Sequence, residues 1–359
     1  MKHKSTGLMV VTASVSLLLL TGCEPQVVEV VKEVPIEVEV TRIVEAKPEP
    51  LVPIRFGAIA GASQTYIPKL MQDQGIGTKY GFQVQITTLT GYGMQWNGLR
   101  SGDFDISSGS ALDLLRQRQG GLEARAIHAF IKFSNPIVAL ADAPYEKLSD
   151  LAGTKVGTPR TSLLDWMIIR AAGLKGDGFD IEVEAEPVNA STSLMTELLK
   201  NGEIDAAFTF SDYVLGPIAE GTLKKITSVP ELMAEADFDP DSFYLTYNLT
   251  DAWAKEHPEH VPLLIAAMDE AVDLLMTDDS VWPELAAFSG MTNEELMPMF
   301  IEKQRNAFDT NFSRDKIEPT QRLIDALNEV VGEEPVGVKL VDPEAFDFDS
   351  VEASKDLRR

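Results

Sequence analysis

From Ile54 onward, short apolar runs alternate with stretches whose apolar positions recur every three or four residues. That is the signature of strands alternating with amphipathic helices. Strands are predicted over residues 54–59, 82–88, 105–108, 125–133, 155–157, 181–187 and 206–210. Helices are predicted over 66–74, 93–100, 110–118, 162–172, 191–201 and 213–219. After Asp241 the pattern turns helical, over 251–256, 262–276, 292–305 and 319–331. Such alternation predicts an α/β protein with largely parallel sheets.

One block occurs twice. Gly102-Asp103-Phe104-Asp105-Ile106 ends a predicted helix and opens a strand. Gly202-Glu203-Ile204-Asp205-Ala206-Ala207 does the same a hundred residues later. Both glycines suit helix C-caps. Two lobes of similar construction follow from the repeat, rather than a short-period solenoid.

The first 50 residues follow another pattern. Lys2 and Lys4 precede an uncharged apolar run from Gly7 to Leu20, too short to span a bilayer comfortably. It reads as a secretory signal. Leu20-Thr21-Gly22-Cys23 resembles a bacterial lipobox, which implies cleavage after residue 22 and acylation of Cys23. Val and Glu then alternate from Val27 to Val40, but Pro35 interrupts the period, and Pro48, Pro50 and Pro53 follow. A flexible tether reaching about 30 Å on average fits this segment. A transient edge strand is the alternative.

Composition narrows the function classes. The 359 residues carry 31 basic and 56 acidic side chains, a net charge of −25. From Glu231 to the end there are 30 acidic and 10 basic residues. A field of that sign repels phosphate backbones and argues against nucleic-acid binding. Cys23 is the only cysteine, so disulfide scaffolds and thiolate metal clusters are excluded. His128 lies in an apolar strand, and His257 and His260 read as a helix start. Asp237, Asp239 and Asp241 alternate like a calcium loop, yet Ser242 and Asn248 stand where an EF-hand needs Gly and Glu. No phosphate loop, dinucleotide fingerprint or nucleophile elbow is present. Neither a metal, a cofactor nor a catalytic residue is expected.

Five stretches in order carry a family resemblance: 54–68, 102–106, 148–157, 202–207 and 257–261. Leu148-Ser149-Asp150-Leu151-Ala152-Gly153-Thr154-Lys155-Val156-Gly157 is the most specific of them. Over about 54–331 the chain resembles the substrate-binding proteins of bacterial ABC importers, in the branch that includes nitrate, sulfonate, taurine, thiamine-pyrimidine and riboflavin binders. The resemblance implies a periplasmic-binding-protein fold of type II, with two lobes, a hinge and an interlobe ligand cleft. Its segments would be a signal peptide at 1–22, a lipidated Cys and tether at 23–53, lobe one at 54–139 and 241–335, lobe two at 140–240, and a C-terminal tail at 336–359. It also implies ABC permease and ATPase partners, a lipid-anchored extracytoplasmic location and a monomer. Some relatives with this fold make or break the thiamine pyrimidine using Cys and His residues, and here the body of the chain has no Cys.

Ligands of open α/β sheets bind at the carboxyl ends of strands, where helix N-termini offer free N–H groups. That rule selects Ser63, Gln64 and Tyr66, then Tyr92 and Trp96, then Ser108, Gly109 and Ser110 in lobe one. In lobe two it selects Thr158, Arg160, Thr161, Ser162, Phe210, Asp212 and Tyr213. Phe130 and Asn135 complete the candidate site. Helix capping alone would account for the Ser and Thr residues, and Trp166 reads equally as core. Arg160 is either a surface residue or the cation placed to pair an anionic ligand bidentately. The aromatic content of the candidate cleft favours a planar heterocycle. Riboflavin is the first expectation, then the thiamine pyrimidine precursor, then a sulfonate or nitrate.

Overall fold

The computed structural model describes residues 50–358. The signal segment, Cys23 and the tether up to residue 49 lie outside the described residues. Among the described residues, ten strands form two five-stranded sheets. The first sheet holds β1 (Val52–Ile59), β2 (Phe82–Leu89), β3 (Ile106–Ser110), β4 (Ala124–Ile131) and β10 (Leu245–Thr250), in the order β2-β1-β3-β10-β4. The second holds β5 (Pro136–Leu140), β6 (Lys155–Thr158), β7 (Glu186–Asn189), β8 (Ala206–Phe208) and β9 (Leu223–Ser228), in the order β7-β6-β8-β5-β9. In each sheet three neighbouring strands run parallel. The fourth, β10 or β5, runs antiparallel to both its neighbours.

Those two antiparallel strands carry the chain between sheets. β4 hands over to β5 through residues 132–135. The return passes from β9 through the helix Val229–Glu235 to β10. The sheets are therefore joined by two crossings, and each lobe closes with a strand entered from the other. This is the two-lobe periplasmic-binding-protein architecture.

The repeated block explains how each lobe begins. Gly102 takes φ 78° as the cap of the helix Met94–Ser101, and Gly202 takes φ 67° after Met195–Lys200. Positive φ there costs a side-chain-bearing residue, so glycine suits both caps. The acidic residue three positions on then clamps the middle one of the three parallel strands of its sheet, β1 or β6. Asp105 Oδ2 accepts from Arg55 N at 2.9 Å, while Asp105 N donates to Arg55 O at 2.9 Å. Asp205 Oδ2 accepts from Lys155 N at 2.8 Å, while Asp205 N donates to Lys155 O at 2.8 Å. The Arg55 guanidinium adds a bidentate contact to Asp105, at 3.0 and 2.6 Å. Phe104 occupies a slot kept open by glycine: a Cβ on Gly57 or Gly98 would stand 2.5 or 2.0 Å from its ring.

Three expectations are corrected. Residues 181–187 were expected as one strand; they form the helical turn Ile181–Glu184, then β7 from Glu186. Asp180 caps that turn by accepting from Glu182 N, so a local cap overrides the alternating pattern. β5, β9 and β10 were not expected; β10 lies in the stretch assigned to helix. The helix expected from residue 162 spans Leu164–Gly176, with no side-chain cap. After residue 331 the chain packs back on lobe one: Phe346 bridges Ala126 and stacks on Phe243 at 4.8 Å.

Candidate functional site

Between the lobes, against both crossings, lies a cavity in two chambers. The outer one has a volume of about 360 Å³ and the inner one about 40 Å³. Gln64, Tyr92, Phe210, Tyr244 and Leu245 line both. The outer volume sits at the small end of the range for ligand sites, about 300–1,000 Å³.

Each lobe contributes one aromatic ring to the partition. Tyr92 follows β2, and Phe210 follows β8 at the N-cap of the helix Ser211–Ala219. Their rings stack across the lobes at 4.8 Å and 29°. A second stack, Phe133 on Tyr244 at 4.4 Å and 29°, joins the two hinge crossings themselves. Beside it, Asn135 Nδ2 donates to Asp165 Oδ1 at 3.0 Å and to the Tyr244 hydroxyl at 2.7 Å. Tyr244 in turn donates to Asp165 Oδ2 at 2.8 Å. Burial pushes Asp165 up to about 6 against these hydrogen bonds, which favour its anion. Burial also holds the Tyr92 and Tyr244 hydroxyls well above their ordinary range, so both stay protonated at neutral pH.

The lobes are latched by polar contacts around the cavity. Asp212 of lobe two accepts from Ser63 N at 3.0 Å and from Gln304 Nε2 at 2.8 Å, both in lobe one. Burial raises its carboxyl nonetheless. Tyr213 donates to Ala60 O at 2.6 Å. Arg160 pairs with Asp113 at 3.1 Å, and Arg116 donates to Ser162 O at 2.8 Å. This is a closed arrangement.

The candidate residues divide into four groups. Ser63, Gln64, Tyr92, Ser108, Gly109, Ser110, Asn135, Phe210 and Asp212 line the cavity. Ser110 also caps its helix by accepting from Asp113 N at 3.0 Å, so capping and lining coincide there. Arg160, Ser162 and Tyr213 make latch contacts, and the Arg160 guanidinium faces a carboxylate of its own protein. Thr158 and Thr161 line neither chamber. The remaining aromatics are packed inside a lobe. Tyr66 meets Ser289 and Trp282. Phe130 lies on Tyr247 at 4.6 Å. Trp96 fills the space behind Gly109, where a Cβ would stand 2.2 Å from its ring.

Gln95, Asp113, Phe133, Asp165 and Tyr244 line the cavity without having been selected from the sequence. Asp113 and Asp165 stand in the first turns of their helices. That position satisfies the helix dipole and gives no functional signal of its own. Phe133 and Tyr244 belong to the crossings, which follow only from the unexpected strands β5 and β10.

Fold and cavity define a two-lobe α/β chain with a cavity between the lobes. A family model described as NMT1/THI5 like matches residues 72–280, and the chain belongs to that family. A Brucella abortus (strain 2308) chain named only as a binding protein is 26% identical over 224 residues, covering 62% of this chain and 66% of the relative. The match thus spans just under two thirds of that relative. The alkanesulfonate-binding protein SsuA of Xanthomonas axonopodis, solved with MOPS bound, superposes with a TM-score of 0.68 at 13% identity, covering 83% of this chain and 99% of its own. The periplasmic nitrate-binding protein NrtA of Synechocystis superposes at 0.60 and 13% identity, covering 86% and 89%. At those identities the likeness is one of fold.

Proposed function

We propose that this chain is the extracytoplasmic solute-binding subunit of an ABC importer, anchored through an acylated Cys23 and working without a catalytic step. The observation that carries the reading is the cavity at the two crossings, partitioned by one ring from each lobe. A hinge at residues 132–135 and at the return before β10 would part Tyr92 from Phe210 and open the cavity to solvent. A solute captured on one lobe then gains the other lobe's ring and polar groups on closure. The closed form is the one the permease and ATPase would receive. The names of the binding-protein neighbours and the family membership support this class.

For the ligand, we propose a small planar heterocycle, with riboflavin the first candidate and the thiamine pyrimidine precursor the second. The aromatic support is narrower than the sequence promised. Tyr92 and Phe210 remain from the expected set, and Phe133 and Tyr244 join them. Stacking on such faces adds about 0.5–1.5 kcal/mol per pair beyond buried area. Titrating purified protein into riboflavin tests the first candidate. Quenched flavin fluorescence at micromolar protein is the expected result, and unchanged emission removes riboflavin from the list.

A further inference from the structure

We infer that Arg116 is a positioning residue for closure and that the C-terminal turn Glu333–Val336 holds it in place, so that a segment lining neither chamber of the cavity sets how firmly lobe two docks on lobe one. The inference rests on reading the lobes as parting and closing about the crossings. Three observations carry it.

The Arg116 guanidinium joins three parts of the chain. It stands on the helix Ala111–Gln119 of lobe one, and all five of its N–H groups have acceptors. Nη1 donates to Asp113 Oδ1 of the same helix at 3.2 Å and to Ser162 O of lobe two at 2.8 Å. Nη2 donates to Met167 Sδ of lobe two at 3.1 Å and to Pro335 O at 2.9 Å. Nε donates to Val336 O at 2.8 Å. A planar fork of five donors can serve acceptors on several sides at once; three donors on one ammonium nitrogen cannot.

The tail side of this junction is fixed to lobe one. Gly332 and Gly337 flank the turn at φ 101° and 69°, and Gly337 N closes it on Glu333 O at 2.8 Å. The last carbonyls of a helical turn lack helical donors, and Pro335 and Val336 present theirs to Arg116. Val336 is buried. Farther on, Asp342 pairs at 3.0 Å with Arg118, which stands on the same helix as Arg116.

The seam side is shared with the cavity wall. Asp113 gives Oδ1 to Arg116 and Oδ2 to Arg160 of lobe two, at 3.2 and 3.1 Å, and lines the inner chamber. Parting the lobes breaks the Arg160, Ser162 and Met167 contacts together. The two tail bonds keep the fork aimed at the seam meanwhile, so closure orders no free side chain.

The test is small-angle scattering and hydrogen exchange on the ligand-free full chain, with Asp212→Ala as a second way to loosen closure. Arg116→Gln and Arg116→Lys should both enlarge the radius of gyration. Both should speed exchange over residues 160–167 by about tenfold or more, while β1 keeps its protection. Gly337→Val strains the turn beside Arg116 Nε, where even a Cβ would stand at 3.5 Å, and should act the same way. Joined to Arg116→Gln it should add nothing, because the two changes cut one linkage. A wild-type radius in Arg116→Lys overturns the inference, since charge alone would then suffice. So does a lowered melting temperature with radius and exchange unchanged, the mark of a merely structural residue, and so does additivity of Gly337→Val with Arg116→Gln. If another variant does not fold, Arg116→Lys decides alone. Expansion by Asp212→Ala without expansion by the Arg116 variants overturns the inference and spares the closure reading. No expansion in any variant overturns both.

Discussion

Asp165 illustrates at the scale of one residue how a buried carboxylate works against stability. Its carboxyl is raised to about 6 from 3.8, chiefly by burial. Between those values the native state binds more protons than the unfolded chain, so stability falls as pH rises through that window. Asp165→Asn removes the cost, and should stabilise the protein at pH 7.5 by on the order of 2 kcal/mol. Urea unfolding of both forms at pH 7.5 and near pH 4 checks this, with the gap closing at the lower pH. A variant less stable than wild type at pH 7.5 would mean that the Asn135 and Tyr244 hydrogen bonds outweigh burial. Gly109 offers a steric counterpart. Its missing Cβ makes room for Trp96, so Gly109→Ala should destabilise by about 1–3 kcal/mol, read from the denaturation midpoint.

The elements show what a sequence pattern carries and where it stops. The paired blocks were legible because a glycine cap and an acid recur at one spacing. The structure gives both acids the same work, a two-way hydrogen-bond clamp on the middle parallel strand of the sheet. Asp105→Ala and Asp205→Ala should each cost about 1–3 kcal/mol. The double variant should sum the two, because the clamps sit in different lobes; a large departure from additivity in denaturant titrations would contradict independent clamps. β5 and β10 were illegible for a physical reason. They are short, nearly fully buried runs, which have no alternating face to reveal them. Because they hold the crossings, missing them hid Phe133 and Tyr244 as well. Residues 181–187 show the converse failure, where real alternation of Ile, Val and Ala with Glu yields to the Asp180 cap. The hydroxyl and glycine positions at strand ends were legible, and most of them line the cavity. The acids in the same first turns were not, since a dipole-satisfying Asp looks the same whether or not a ligand meets it.

At the scale of the whole molecule, polar contacts around the cavity help to hold closure. Asp212, Tyr213 and Arg160 each reach from lobe two to a partner in lobe one. Asp212→Ala leaves Ser63 N and Gln304 without their acceptor, and should shift the population toward open forms. Small-angle scattering of the ligand-free variant should then give a larger radius of gyration than wild type, and an unchanged radius would show that the remaining contacts suffice. The acidic last third of the chain supplies only a few cavity groups, such as Tyr244 and Gln304, so its charge does not set the character of the site. The central claim is that rings from both lobes close on one planar solute. A fluorescence titration of riboflavin with wild type and Phe210→Ala tests it most directly. The prediction is saturable quenching at one flavin per chain by wild type, with affinity reduced about tenfold or more in Phe210→Ala. Quenching of equal strength by both proteins would contradict capture between the lobes.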